Sequence, residues 1–431
     1  MQRTVSLQTV GCRLNQYETE RMAAQLYPFG FRRVRQHEPA DLYIINTCTV
    51  THRADADCRR LIHRATRQNP SGRVVVVGCY VEREAETIAG MEGVDVVITN
   101  RQKEQITRIL PSRLPELFDR QPDASCATSL AEFHEHNRAW IKISDGCNQR
   151  CSYCIVTVVR GNLVNRPGQE IIDEVRRLVA GGYKEVVLTG VSIGYYKDET
   201  LSPPVKSLAA LCRAILEQTD LYRLRLSSVE PQAVSDALLS IMTQFKGRFC
   251  RHFHLPLQSG STRLLRLMHR PYTPDAYLRK AQSIKEEEPD TTIGTDVMVG
   301  FPGETDSDFE QTRQLCRSGF IDYLHVFSYS HRPGTAAAEV PGKVNQRVIK
   351  DRSRALTQIS DSLRYASHRR QVGKTLEFIA EHGPDSEGNY GGRSDNYLRA
   401  KLSQSNGGKE IIRLRITGAG EEFVTGEVIQ P

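Results

Sequence analysis

The sequence has no apolar run approaching the roughly 18 residues that a membrane span requires. Its start, Met1 to Leu14, lacks the apolar block and small-residue cleavage site of a secretory leader, so a cytoplasmic protein is expected. No low-complexity tract or short tandem repeat occurs. With 39% apolar and 25% charged residues, a wholly disordered or fibrous chain is excluded. Neither sign of charge dominates: 58 Lys and Arg stand against 51 Asp and Glu, leaving +7. That mild basic excess is compatible with a polyanionic partner without demanding one. The 11 cysteines do not form an even set, so reduced thiols, metal ligands or catalytic thiols are expected rather than a disulfide framework.

What is present is alternation. Strand-like runs at Thr4 to Val10, Leu42 to Ile45 and Val74 to Val77 each lead into a cysteine, namely Cys12, Cys48 and Cys79. Helical stretches, Tyr17 to Tyr27 and Ala54 to Gln68, lie between them, and a fourth run follows at Val94 to Ile98. This βαβαβ order predicts an N-terminal parallel α/β sheet, whose ligands belong beyond the carboxyl ends of the strands. A Pro-bearing stretch, Arg101 to Glu135, reads as a closing helix and a linker holding Cys126. From Trp140 to Phe327 six strand-like runs alternate with helical ones, which predicts a partial (β/α)6 barrel. Gln346 to Arg370 is a basic helical stretch with seven Lys/Arg against two acids. Short strand-like runs and turns at Gly-Pro-Asp, Gly391-Gly392 and Gly407-Gly408 then predict a small C-terminal β-barrel. The expected domains are therefore 1–125, 134–365 and 368–431.

The strongest local signal is Cys147-Asn148-Gln149-Arg150-Cys151-Ser152-Tyr153-Cys154. Three thiols spaced CxxxCxxC after a strand can hold one face of a metal cluster. A zinc knuckle is the alternative, but it needs a fourth ligand, and no Cys or His follows within a dozen residues. Three thiolates on a 4Fe-4S cube leave one iron open. Cys12, Cys48 and Cys79 make a second set by their shared sheet edge, with three buried strand-end cysteines as the plain alternative. Cys58, Cys126, Cys212, Cys250 and Cys316 sit like ordinary interior or linker residues, and His254 and His325 read as structural.

These words together resemble the radical S-adenosylmethionine (SAM) superfamily, and within it the methylthiotransferases. The resemblance runs from Gly11-Cys12-Arg13-Leu14-Asn15-Gln16-Tyr17-Glu18-Thr19-Glu20 through Asn46-Thr47-Cys48, Val77-Gly78-Cys79 and Asp145-Gly146-Cys147. It continues through Ser227 to Pro231, His254 to Ser261, Gly300 to Thr305 and Tyr329 to Thr335. The C-terminal barrel resembles the TRAM module, an RNA-binding domain, most clearly at Asp395-Asn396-Tyr397. The first cysteine word is most similar to that of enzymes acting on N6-threonylcarbamoyladenosine. Isopentenyladenosine enzymes carry Asp before Ser-Glu there, and ribosomal-protein enzymes carry Pro after the cysteine.

The resemblance implies two 4Fe-4S clusters and SAM. Cys147, Cys151 and Cys154 would hold the catalytic cluster that cleaves SAM; Cys12, Cys48 and Cys79 would hold the auxiliary cluster carrying the sulfur. Tyr153 and Gly300 to Gly303 would meet adenine, Thr189 and Gly190 the amino group, and Glu230, Gln258 and Asp296 the ribose or carboxylate. The implied activity is transfer of a methylthio group to C2 of the modified adenosine beside a tRNA anticodon. The implied partners are that anticodon stem-loop and an electron donor such as flavodoxin or ferredoxin, with the enzyme a monomer. Another tRNA adenosine, or a ribosomal protein side chain, is the rival substrate; a non-catalytic iron–sulfur RNA-binding sensor is the rival of another class. After Cys154 the chain departs from the family, reading Ile155-Val156-Thr157-Val158-Val159-Arg160-Gly161 where many relatives carry Pro and an aromatic. Residues 371–431 hold seven Lys/Arg against nine Asp/Glu, so phosphate contacts are sought elsewhere: Arg352, Arg369 and Arg370, with Arg59, Arg60, Arg64 and Arg67, and Tyr397 as a stacking platform.

Overall fold

The computed structural model describes residues 2–123, 133, 136–200, 205–384, 389–402 and 410–429. Cys126 and most of the linker lie outside these residues. The chain divides into two compact units: residues 1–132 with 146–149 and 154–163, and residues 133–145 with 150–153 and 164–431.

In the first unit five parallel strands form one sheet in the order β2-β1-β3-β4-β5. They are β1 (Arg3–Thr9), β2 (Phe31–Arg33), β3 (Leu42–Thr47), β4 (Arg73–Gly78) and β5 (Val96–Thr99). The runs Leu42–Thr47 and Val74–Gly78 are buried throughout, as expected of central strands covered on both faces. Helices Arg13–Leu26, His52–Gln68 and Cys79–Ala89 return the chain between strands. Val5, Leu7, Leu42, Ile44, Val75 and Val77 pack on one face, and Tyr43, Ile45, Val74 and Val76 on the other. The alternation within single strands explains the two cores. The edge strand β2 has three residues, too short to show a pattern in sequence.

The second unit opens with six parallel strands, β6 (Ala139–Lys142), β9 (Glu185–Thr189), β10 (Arg223–Leu226), β11 (His252–His254), β12 (Thr292–Val299) and β13 (Tyr323–Ser328); the two-residue pair β7 (Ser144–Asp145) and β8 (Val164–Asn165) stands apart. Two three-stranded sheets, β6-β9-β10 and β11-β12-β13, are joined by the parallel bridges Leu224–Phe249 and Ser228–His254. The result is the partial six-stranded barrel that the sequence predicts. Helix Gln346–Arg369 follows, and then a closed five-stranded barrel: β14 (Thr375–Pro384), β15 (Tyr390–Ser394), β16 (Arg399–Leu402), β17 (Ile411–Ala419) and β18 (Val424–Val428). Gly391 and Gly392, read from sequence as a turn, lie inside β15. A Cβ at Gly392 would come within 2.8 Å of Leu402, so the barrel wall needs its missing side chain.

The two barrels of this unit are bolted by buried charge. Arg225 is fully buried; it pairs with Glu185 at 2.7 Å and donates to the carbonyls of Ser394 (2.7 Å) and Asp395 (3.0 Å). Arg251 pairs with Asp395 at 2.7 Å, and Arg223 reaches Glu377 at 3.1 Å. Burial alone would raise the Glu185 pKa, but Arg225, helped by Arg138 and Arg223, holds it down at about 2.

Candidate active site

In the first unit Cys12, Cys48 and Cys79 all follow strands of one parallel sheet, at the ends where such sheets bind ligands. Cys12 caps the N-terminus of helix Arg13–Leu26, and Cys79 is the first residue of Cys79–Ala89. At Cys79 burial outweighs the opposing influence of Arg160 and Lys103 and raises the thiol pKa. Gly11 (φ +109°) lets the chain pass Cys48: a Cβ there would lie 2.7 Å from the Cys48 Cβ and 3.0 Å from its Sγ. Gly78 (φ +106°) does the same before Cys79, where a Cβ would meet Asn46 Oδ1 at 2.7 Å. Asn15 ties the loops together, donating to the carbonyls of Val10 (2.8 Å) and Thr47 (3.1 Å). Cys12 is exposed, while Cys48 and Cys79 are buried. Burial pushes the Cys48 thiol up to about 12, with Cys12 and Cys79 adding to the shift and Arg160 opposing it. Three mutually interacting thiols, two of them desolvated, fit a metal cluster, whose cations would hold them as thiolates.

The loop set is divided between the units. In the first, the Cys147 amide donates to the Gly161 carbonyl (3.0 Å), and the Gln149 amide donates to Cys147 Sγ (3.3 Å). Gly146 (φ +64°) is required, since a Cβ would stand 2.0 Å from the Asn162 carbonyl oxygen. Beyond Cys154 the chain forms a short helix, Val156–Arg160, and Ile155 and Val159 bury against Cys79. In the second unit Cys151 accepts from Arg270 Nη1 at 3.2 Å, a contact no sequence signal marks.

The remaining expected residues line the second unit. Tyr153 packs against the buried cluster that holds Met298 and Phe301, as do Phe327 and Tyr329. Thr189 ends β9, and Gly190 is forced by contact, a Cβ there lying 2.4 Å from Ser144 Oγ. Glu230 is buried and accepts from Ser192; burial raises its pKa. Gln258 sits at φ +70°, strained for a non-glycine residue, and its buried Oε1 has no hydrogen-bond partner among the described residues. Gly300 (φ +77°) donates its amide to Glu304 at 2.7 Å. An unsatisfied buried amide oxygen and a buried carboxyl group in the unit that also holds the apolar cluster around Tyr153 fit a polar ligand with an aromatic ring, as SAM is. Asp296 is met by His254 Nε2 at 2.9 Å and His325 Nδ1 at 3.4 Å. Burial opposes its charge, yet the two histidines pull its pKa below the usual carboxylate range. The trio brings one carboxylate and two imidazoles together from β11, β12 and β13.

The expected RNA contacts require correction at one position and detail at others. Arg352 is buried and pairs with Glu304 and Asp306, each at 2.6 Å. It braces the turn after Gly300 and offers no exposed guanidinium to a phosphate. Arg370 pairs with Asp322, while Arg369 is exposed. The Tyr397 ring is already stacked: His252 lies at 4.1 Å, and Arg393 lies over it at 4.3 Å. Arg59 donates to the Tyr80 hydroxyl (2.8 Å), and Arg60 pairs with Asp57.

A six-stranded parallel half-barrel carrying a CxxxCxxC loop defines a radical SAM enzyme, and the comparisons agree. Residues 141–316 match the radical SAM superfamily, and residues 4–99 match the family described as Uncharacterized protein family UPF0004. The chain is 32% identical over 99% of its length to the Bacillus subtilis (strain 168) threonylcarbamoyladenosine tRNA methylthiotransferase MtaB, covering 96% of that protein. It is 34% identical to the Aquifex aeolicus (strain VF5) protein of the same name, over 87% of this chain and 92% of that one. It is also 30% identical, over 99% of both chains, to the tRNA-2-methylthio-N(6)-dimethylallyladenosine synthase of Thermodesulfovibrio yellowstonii (strain ATCC 51303 / DSM 11347 / YP87). Among solved structures, the Kitasatospora setae radical SAM methyltransferase TsrM shares the fold, with TM-score 0.56, 15% identity and coverage of 78% of this chain and 77% of that one. The chain belongs to the radical SAM methylthiotransferase family, in its MtaB-like subgroup.

Proposed function

We propose that this enzyme places a methylthio group on C2 of N6-threonylcarbamoyladenosine beside a tRNA anticodon. The observation that carries the substrate is the likeness over nearly the whole chain to proteins named for that nucleoside, together with the word Gly11 to Glu20. The same reaction on the dimethylallyl nucleoside is the second reading, because a relative of that name covers the chain equally. No described helix is long and apolar enough to cross a membrane.

On this reading Cys147, Cys151 and Cys154 hold one cluster, and Cys12, Cys48 and Cys79 hold the other. Bound there with SAM, they supply reductive cleavage of the cofactor and a sulfur donor. The chain's own residues do the rest. Tyr153, Thr189, Gly190, Glu230, Gln258, Asp296 and Gly300 orient SAM, and the apolar cluster around Met298 and Phe301 excludes water from the reacting atoms. RNA phosphates are met by exposed cations. Arg399, on a cleft of about 280 Å³ in the second unit, and Arg369, near the end of helix Gln346–Arg369, are exposed, and the half-buried Arg364 lines the same cleft.

Mass spectrometry of tRNA nucleosides from a strain lacking the protein tests the substrate. The 2-methylthio derivative of N6-threonylcarbamoyladenosine should vanish while its unthiolated parent accumulates. Loss of the dimethylallyl derivative instead would transfer the assignment to the second reading.

A further inference from the structure

The short helix Thr262–Leu267 ends against the middle of the cysteine loop. Its last turn closes as a Schellman motif: the His269 amide donates to the Arg266 carbonyl (3.0 Å) and the Arg270 amide to that of Leu265 (2.8 Å). The motif needs a left-handed residue at its exit, and His269 takes φ +56° where glycine is usual. Contacts with the cysteine loop offset that strain. Carbonyls in the last turn of a helix have no partner within it. Here the Leu267 carbonyl accepts from Ser152 Oγ (2.7 Å), and the Met268 carbonyl from the Ser152 amide (3.1 Å). The His269 Nδ1 meets the Arg150 carbonyl at 3.1 Å. The residues on both sides of Cys151 are thus fixed to one helix end.

Arg270 leaves this turn towards Cys151 itself, reaching its Sγ with Nη1 at 3.2 Å. The other edge of the guanidinium is clamped. Its Nε donates to the Tyr272 hydroxyl (3.0 Å), and its central carbon lies 5.0 Å from the centre of the Tyr272 ring. The Tyr272 hydroxyl donates in turn to the Pro256 carbonyl (2.6 Å), just beyond β11. A planar fork held at both edges keeps one N–H aimed at the sulfur, which a lysine ammonium on a flexible stem would not do.

We propose that Arg270 is a positioning residue for the cluster held by Cys147, Cys151 and Cys154. It fixes the middle sulfur and, through the N–H···S bond, stabilises the reduced state, while Tyr272 fixes Arg270. This rests on the reading that those cysteines hold a cluster. Reduction adds one electron, and a cationic donor at a ligand sulfur favours the more negative state.

Redox titration followed by electron paramagnetic resonance tests this in full-length protein carrying Ala at Cys12, Cys48 and Cys79, which isolates the signal of the loop set. Arg270→Met removes charge and donor together and should lower the midpoint potential. The reduced-to-oxidised ratio at fixed potential should fall about tenfold, or about 59 mV for one electron. Arg270→Lys, which keeps the charge without the clamp, should lie between Arg270→Met and the parent. Tyr272→Phe leaves the guanidinium in place and should shift the potential in the same direction by less. An unchanged or raised midpoint in Arg270→Met, with iron content intact, would overturn the proposal. If that variant holds no iron, an unchanged or raised midpoint in Tyr272→Phe would overturn it. Absence of iron from the loop set with Arg270 and Tyr272 both present would instead overturn the cluster reading itself.

Discussion

The two cysteine sets are built in opposite ways. Cys147, Cys151 and Cys154 fall within eight residues, so a strand and one loop bring them near each other whatever the rest of the chain does. Cys12, Cys48 and Cys79 are 36 and 31 residues apart and meet only because β1, β3 and β4 lie side by side in register. The first is a local site, legible as a word. The second is a tertiary site, and its assembly is inseparable from the sheet. A tertiary site can be given neighbours from anywhere in the unit: Asn15, which accepts from Arg160 at 2.6 Å, donates to the Thr47 carbonyl just before Cys48.

Glycine substitutions give the sharpest test of that contrast. Anaerobically reconstituted protein should hold about eight iron atoms, from two 4Fe-4S clusters. Gly78→Ala, strained by φ +106° and a 2.7 Å approach to Asn46, should lose about four of them. Gly146→Ala, blocked by the Asn162 carbonyl, should lose the other set. Iron analysis of both variants decides it, and equal loss of all iron from either would show that the sets do not assemble separately. Cys48→Ala extends the test to chemistry. Under reduction it should still release 5′-deoxyadenosine but form no methylthio product, as read by chromatography; loss of both would join what the comparison separates.

Smaller effects concern the frame. Arg225→Met leaves Glu185 buried with its principal partner gone, which should cost about 3–5 kcal/mol in denaturant unfolding of the second unit. The same pair sets an acid limit. Glu185 has its pKa lowered from 4.5 to about 2, so its stabilisation is full above the unfolded value and is lost as pH falls from 4.5 towards 2. The parent protein should therefore lose stability across that window, and Arg225→Met should lose less. At the low end, Thr51 caps helix His52–Gln68 by accepting from Ala54 at 3.1 Å. Thr51→Ala should cost about 1 kcal/mol and, if the trio is tertiary, loosen its iron slightly in competition with a chelator.

Much of this was legible before any coordinates. Strand-end cysteines, the six alternating units and the loop word are all carried by period and spacing. What was not legible depends on facing partners. β2 is too short to show alternation, and β15 hides behind two glycines that serve barrel packing rather than a turn. Arg352 is one of seven cations in its helical stretch, and nothing in its neighbours tells that Glu304 and Asp306 wait for it. Arg160 reads as the end of an atypical segment, because its partners lie more than 140 residues earlier. His254, Asp296 and His325 come from three strands, so they reach one another only once β11, β12 and β13 are aligned.

The bolts from Arg223, Arg225 and Arg251 to the closing five-stranded barrel turn that module into a gauge. A module on a slack tether would let a bound strand slide until some base reached the cofactor. A module fixed to the half-barrel by buried pairs holds the span between its grip and the strand ends constant. An RNA held by it would be measured as well as gripped, and a base one nucleotide out of step would fall short by the rise of a single residue.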